Sequence, residues 1–263
     1  MSMVERLKQD IRLRDDADYI MPVWLPFISV ILVFLGLIIL LGGYLAEESA
    51  SAPLMQATQE NAEITGNIEA SVGAGIFGLS LALIVLGGFI LLYVMYKWID
   101  RRNKHFKRTV MFYRDLADYF EAKGLSKRAE SIRNIVRQME VEQSERSAAL
   151  WVILVLIINI LVYYVFHFLT KDFYIHSRRE AYIWDEASKA MEELGHPLMY
   201  RSMYTIPDRN TVLYFVLSLL TLGLFNIYWV YVITNDPNEH FKEHRRFEDE
   251  LIDKIEKLEE STV

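Results

Sequence analysis

The sequence predicts an all-α integral membrane protein with four transmembrane helices, arranged as two parallel two-span repeats. Three observations carry this: four long runs free of charge, an uneven distribution of basic residues, and a short motif that recurs in the second half. The runs are 22–46, 70–96, 147–170 and 211–235, between 24 and 27 residues each, without one Asp, Glu, Lys or Arg. Each exceeds the roughly 20 residues a helix needs to cross about 30 Å of hydrocarbon. They are therefore assigned as TM1 to TM4. The first is too long for the apolar core of a cleaved leader and lacks a small-residue cleavage site, so it reads as an uncleaved anchor.

The 28 basic residues fall as four before TM1, none between TM1 and TM2, thirteen at 97–146, six at 171–210 and five at 236–263. The positive-inside rule then places both termini and the 97–146 loop in the cytoplasm, and 47–69 and 171–210 outside. The localisation expected is a multi-pass protein of the plasma membrane. With 35 acidic residues and a net charge of −7, nothing supports a nucleic-acid partner. The absence of cysteine excludes disulfides, thiol catalysis and thiolate metal sites.

Taken in order, residues 1–21 place Val4, Leu7 and Ile11 at helical spacing among Arg6, Lys8, Arg12 and Arg14. This suits either a helix lying on an anionic leaflet or a short solvated helix. Pro22 and Pro26 stand where TM1 begins, where a missing N–H costs least. The outer loop 47–69 carries Leu54, Thr58, Ala62, Thr65 and Ile68 at roughly helical spacing, so part of it should extend TM2 outward. Beyond TM2 the pattern continues through Phe106, Phe112, Leu116 and Phe120 to Gly124, a suitable C-cap. Ser126 is a candidate N-cap for a second arm with Ile132, Val136 and Met139 on one face, so 97–146 should be a cytoplasmic helical hairpin. In 171–210, Ala181, Trp184, Ala187, Met191 and Leu194 form an amphipathic helix stopped by Gly195-His196-Pro197. The C-terminal helix 236–263 lines up Phe247, Leu251, Ile255 and Leu258, a stripe that needs a partner; the hairpin is the nearest one.

The recurring motif is Asn-x-His-Phe-Lys: Asn103, His105, Phe106 and Lys107 in the first half, Asn238, His240, Phe241 and Lys242 in the second, at a constant offset of 135 residues. Leu86-Gly87 and Leu222-Gly223 precede them and Phe112 and Phe247 follow, which argues for a duplicated two-span hairpin. The stretch Leu220 to Tyr231, followed by Asp236-Pro237-Asn238-Glu239-His240-Phe241, resembles the Thr-Leu-Gly-x-x-x-x-Tyr-Trp signature of a widespread group of small prokaryotic membrane proteins of unknown function. The first copy departs from it, with Leu92-Tyr93 where Tyr-Trp would fall. The resemblance implies a membrane location and helical hairpins, and no activity.

Candidate chemistry is sparse. His240-Phe241-Lys242-Glu243-His244 spells H-x-x-E-H, the pattern of a zinc-peptidase helix. Only 19 residues follow His244 to supply a further ligand, and in the duplication position 244 corresponds to Thr109, so the motif reads as half inherited and half accidental. His105 and His240 suit a pair of polar caps between helix ends, or a symmetric site for an ion or anionic headgroup. Capping is the expectation, and no catalytic, cofactor or metal site is assigned. Arg101, Arg102, Lys104, Lys107 and Arg108 form a juxtamembrane cluster expected to contact anionic lipids. Gly75, Gly78, Gly87 and Gly88 offer small faces for helix or subunit packing, and Asn159 a hydrogen bond across a helix interface. The function expected is a non-enzymatic, self-associating membrane scaffold that forms a homo-oligomer and presents cytoplasmic helices to partners. The alternative is a small-solute or ion channel at the oligomer axis.

Overall fold

The computed structural model describes residues 2–51, 59–199, 203 and 205–262. Among these every regular element is helical: α1 (Met3–Arg12), α2 (Arg14–Ala17), α3 (Leu25–Ser51), α4 (Gln59–Ala122), α5 (Ser126–Glu142), α6 (Ala148–Ile157), α7 (Leu161–Glu193), α8 (Thr211–Leu220) and α9 (Asn226–Thr262). The chain forms two units, Val23–Met95 on one hand, and Met1–Pro22 with Tyr96–Val263 on the other.

The smaller unit holds α3 and the first part of α4. Leu25–Ala46 and the apolar part of Ser71–Ala122 are two helices long and apolar enough to cross a membrane. Phe34, Ile38, Leu41, Phe77 and Phe89 are each more than half exposed. Apolar area left outside costs roughly 25 cal/mol per Å² in water, so these faces call for a non-aqueous surrounding. The two helices meet at glycine. A Cβ on Gly87 would stand 2.8 Å from the Ser29 carbonyl oxygen, and one on Gly36 would stand 2.7 Å from Ile84 Cγ1. A Cβ on Gly75, Gly78 or Gly88, expected to pack with Gly87, would meet no other described side chain or helix within 4 Å. In the expected outer loop 47–69, helix α4 is already formed from Gln59; Leu54 and Thr58 lie outside the described residues.

The larger unit departs from the expected layout in three places. First, the runs 147–170 and 211–235 are not single helices. Helix α6 ends at Ile157 and the chain reverses before α7 begins at Leu161; α8 ends at Leu220 and reverses before α9 begins at Asn226. The arms are antiparallel. Trp151 of α6 lies 5.2 Å from Tyr164 and 5.4 Å from Phe168 of α7, ring centre to ring centre. Tyr214 of α8 lies 5.8 Å from Tyr228 and 5.5 Å from Trp229 of α9. The second reversal is made by Leu222 at φ 50° and Gly223 at φ 91°, left-handed values that glycine adopts without strain. A count of apolar residues measures length and not direction, which is why these runs looked like spans.

Second, 171–210 does not stand across a membrane from 97–146. Helix α7 packs on α5 and α9, and Ile183, Trp184 and Met191 share one core with Phe112, Leu116, Ile132, Val136, Phe247, Leu251 and Ile255. Residues in one close-packed core lie on one side of a bilayer. Third, the N-terminal helix is neither on a leaflet nor free in solvent: Leu7 is fully buried in that core, with Val4 and Ile11 against it. Arg6 pairs with Asp115, Lys8 with Glu256 and Arg14 with Asp249 at 2.5–3.3 Å.

The ends of the elements follow local rules. Ser2, Ser147 and Asn210 cap α1, α6 and α8 by accepting from Glu5, Leu150 and Leu213 N–H. Gly124 at φ 83° turns α4 into α5. Ser126, expected as a cap, is the first helical residue of α5, and Leu125 occupies the cap position without a side-chain bond.

Candidate metal centre

Three amphipathic helices carry polar side chains on faces otherwise buried in the core. On α4 these are His105, Arg108 and Tyr113; on α7, His176 and Glu180; on α9, His240, His244 and Glu248. Each set follows helical spacing, so the side chains of one helix stack and point the same way. Asp18, just past α2, joins them and is also buried.

Ligand-type atoms of His105, Glu180, His240 and His244 all lie within 4.8 Å of one another, and all four residues are buried. His105 Nε2 is 3.2 Å from His240 Nε2. His244 Nε2 is 2.9 Å from Glu180 Oε1, and His240 Nε2 is 2.9 Å from Glu180 Oε2. His105 Nε2 is 4.0 Å from Glu180 Oε1. Donors held about 2.0–2.2 Å from a tetrahedral ion stand about 3.3 Å apart; the cluster is close to that size. His176 adds a fifth group, with Nε2 2.9 Å from Glu180 Oε1.

The outer nitrogens fix the rings. His105 Nδ1 is 2.8 Å from Asp18 Oδ1, and His244 Nδ1 is 2.9 Å from Glu248 Oε1. An ionised carboxylate only accepts, so each Nδ1 carries a proton and donates it. In a neutral ring the inward Nε2 is then a bare lone pair. His105 aims that lone pair at another imidazole nitrogen and His244 aims it at a carboxylate, contacts that repel unless a proton or a cation lies between. His176 repeats the arrangement, with Nδ1 2.9 Å from Gln143 Oε1. Glu180 Oε2 and His240 Nδ1 make no hydrogen bond of acceptable geometry among the described residues. Histidines oriented by carboxylates behind them are the usual outer shell of a metal site.

The supporting charges pair with one another. Arg108 donates to Glu248 Oε1 at 2.6 Å and to Asp18 Oδ2 at 2.9 Å, joining the two orienting carboxylates. Tyr113 Oη donates to Glu180 Oε1 at 3.1 Å and lies 2.9 Å from His244 Nε2. Burial pushes the Tyr113 phenol well above its usual range, so it stays neutral. For His244, burial disfavours the charged ring, but the carboxylates of Glu180 and Glu248 outweigh it and raise its pKa to about 10. Burial lowers His105 well below its usual value and takes His176 to about 4. For Glu180, burial favours the neutral acid, but the surrounding His176, His244 and His240 overcome it and hold the carboxyl well below its usual range. Gln143, which meets His176, also lines a surface cavity of about 580 Å³ with Lys107 and Arg114.

The repeated motif is brought together around this centre. Besides His105 and His240, Phe106 stacks on His176 at 3.9 Å and Phe241 lies 4.6 Å from His105, ring centre to ring centre. The two asparagines act alike. Asn103 accepts from Arg146 N and donates to Arg146 O; Asn238 accepts from Met21 N and donates to Met21 O. Each clamps a peptide just before an apolar helix of the other half of the sequence.

The expected lipid-contact cluster is different in kind. Arg101, Arg102 and Arg108 are 1–2% exposed. Arg101 donates to Asn238 and to the carbonyls of Ile233 and Thr234; Pro237, within α9, has no N–H to offer Ile233. Arg102 donates to the Ser144 carbonyl and pairs with Asp172 at 2.8 Å. These guanidiniums have internal acceptors, which removes them from headgroups. Lys107 is exposed, and half-buried Lys104 pairs with Asp16. Asn159 sits exposed in the turn between α6 and α7 and not at a helix interface, because the helix ends there.

Reasoning from sequence missed Glu180, His176, Asp18 and Glu248. Glu180 lies one turn before Trp184 on the stripe already recognised in α7, and Glu248 one turn after His244. Polar residues on a buried stripe were the available signal. Within H-x-x-E-H both histidines reach the centre, but the carboxylate they meet is Glu180 and not Glu243.

The fold and the site define an all-α protein with two helices of membrane-spanning length and a buried cluster of histidines and carboxylates. Residues 209–248, which run from α8 into α9 and include His240 and His244, match the family model described as a domain of unknown function, DUF4234. No curated protein and no solved structure matches the chain.

Proposed function

We propose that the protein is a membrane-anchored, non-enzymatic scaffold whose helical bundle is organised by one divalent transition-metal ion, held by His105, Glu180, His240 and His244. The carrying observation is the convergence of three imidazole Nε2 atoms on one buried carboxylate, with two of the rings oriented by carboxylates behind them. Nitrogen donors with one carboxylate and no thiolate suit Zn²⁺ or Fe²⁺. Four protein ligands close the coordination sphere and favour a structural over a catalytic role. The ion would tie α4, α7 and α9 together and, through Asp18, the N-terminal segment.

Anchoring rests on α3 and the apolar part of α4. All 28 basic residues lie outside 23–95. With two spans the positive-inside rule supports a cytoplasmic side for both termini and for the charged part of the larger unit, a cleaner division than four spans allow.

The test is metal content. The full chain in a lipid nanodisc, stripped with chelator and titrated with Co²⁺ or Zn²⁺, is expected to bind one equivalent and to gain thermal stability. Glu180→Gln and His244→Ala should abolish both effects, and Asp18→Asn should weaken affinity about 10–100-fold. Absence of binding at micromolar metal would overturn the reading and leave a proton network with His244 charged between Glu180 and Glu248.

A further inference from the structure

The two helical hairpins end in tips that stand exposed among the described residues. In the first, Leu156, Ile157 and Ile160 are 56–72% exposed; in the second, Leu220, Leu222 and Leu224 are 70–95% exposed. Both hairpins belong to the larger unit and pack side by side: Tyr163 lies 5.1 Å from Phe215, ring centre to ring centre, and accepts from Asn226 Nδ2 at 3.2 Å. Leu222 is nearly as exposed as a side chain can be, in a loop with no charge for ten residues on either side. Water is a poor surrounding for such a surface.

We propose that both hairpins are inserted into one leaflet of a bilayer, with their tips near its midplane and both ends of each hairpin on the same face. Four observations choose lipid as the occupant. The length fits: α6 and α8 have ten residues each, about 15 Å of helix, half of a hydrocarbon core of about 30 Å. The bases are ringed with paired charge, Arg146 with Asp172, Lys171 with Asp208 and Arg209 with Asp236, while the arms carry none. Aromatic side chains of interfacial type lie between base and tip, Trp151 against Phe168 and Tyr228 accepting from Arg209.

The fourth observation is the backbone. A reversal in hydrocarbon is tolerable only where its peptide groups are satisfied locally. At the second tip the N–H groups of Thr221, Leu222, Gly223, Leu224 and Asn226 all donate to carbonyls within the hairpin, and Phe225 N–H donates to Thr221 Oγ1. At the first, Ile158 donates to the Leu154 carbonyl and Leu161, Val162 and Tyr163 donate to those of Ile158, Asn159 and Ile160, so that only the Asn159 and Ile160 N–H groups lack a backbone acceptor among the described residues.

This inference is independent of the metal centre and survives its failure. The chain has no cysteine, so single cysteines can be introduced into it directly. Lys127→Cys on α5 and Lys189→Cys on α7 should react with a membrane-impermeant maleimide from the same side of sealed vesicles. A probe on Leu222→Cys or Ile158→Cys should escape that reagent from both sides. It should also be quenched more strongly by a lipid spin label near the acyl-chain end than by one near the headgroup. Labelling of Lys127→Cys and Lys189→Cys from opposite sides would overturn the proposal in favour of full spans. Tip cysteines open to the aqueous reagent would overturn it in favour of hairpins standing in water. Should Leu222→Cys not fold, Leu220→Cys reports on the same tip.

Discussion

Four charge-free runs of nearly equal length take two shapes. Runs 22–46 and 70–96 are carried by long helices, whereas 147–170 and 211–235 each double back after about ten residues. Hydropathy is not what separates them. The difference lies in what glycine and polar residues do midway. Gly36 and Gly87 stay helical and bring two helices into close approach, while Gly223 turns to φ 91° and Asn159 occupies a reversal. An apolar run states that a segment will leave water; the residues at its middle decide whether it goes through or returns.

The halves can be set against each other experimentally. The largest effect is expected at Arg108, the buried guanidinium of α4 that bridges Asp18 of the N-terminal segment and Glu248 of the C-terminal helix. Arg108→Met removes the guanidinium from the buried carboxylates of Asp18 and Glu248, leaving each with its histidine, and should destabilise the bundle by about 3–5 kcal/mol, read by denaturant unfolding of the full chain. A loss below about 1 kcal/mol would mean that the network tolerates the gap through proton uptake.

Next comes the paired clamp. Asn238 is 3% exposed, whereas Asn103 is half-buried. Asn238→Ala should cost about 2–3 kcal/mol and Asn103→Ala about 1 kcal/mol, because water can replace the partners of the latter. Equal losses would show that burial does not distinguish the two clamps. The smallest contrast is between the glycines. Gly87→Ala forces a methyl against the Ser29 carbonyl and should cost about 1–3 kcal/mol. Gly223→Ala meets only the strain of a left-handed residue, about 1–2 kcal/mol, with no close side chain to displace. The reverse order, measured by thermal midpoints, would mean that the turn and not the helix contact limits stability.

Much of the larger unit was legible. Helical spacing in α5, α7 and α9 picked out Ile132, Trp184 and Leu251, all of them in the core, because burial of a helix face leaves a 3.6-residue trace. The matched motif directed attention to His105 and His240. What could not be read was partnership across distance: that Glu180, assigned by charge counting to the far side of a membrane, meets His240 at 2.9 Å. That assignment rested on two unbroken spans, and helix reversals written in a few residues, Ile158-Asn159 and Thr221-Leu222-Gly223, fold each run back on itself. The arginines failed for a related reason. A cationic cluster beside an apolar run looks like a headgroup site until the acceptors are located, and, apart from Asn103 next to Arg102, the acceptors of Arg101 and Arg102 come from residues 42 to 137 positions away.

Pro237 interrupts the hydrogen-bond ladder of α9 and leaves the Ile233 carbonyl open, and Arg101 occupies the opening. The proline is therefore a lock and the arginine its key, cut in different halves of the chain. Replacing the proline by an ordinary helix former would supply a competing N–H to that carbonyl, and shortening the arginine would strand the carbonyl without any donor. Neither position can be interpreted alone: a change at 237 alters the chemistry offered to residue 101 without touching it, and the two should be varied together.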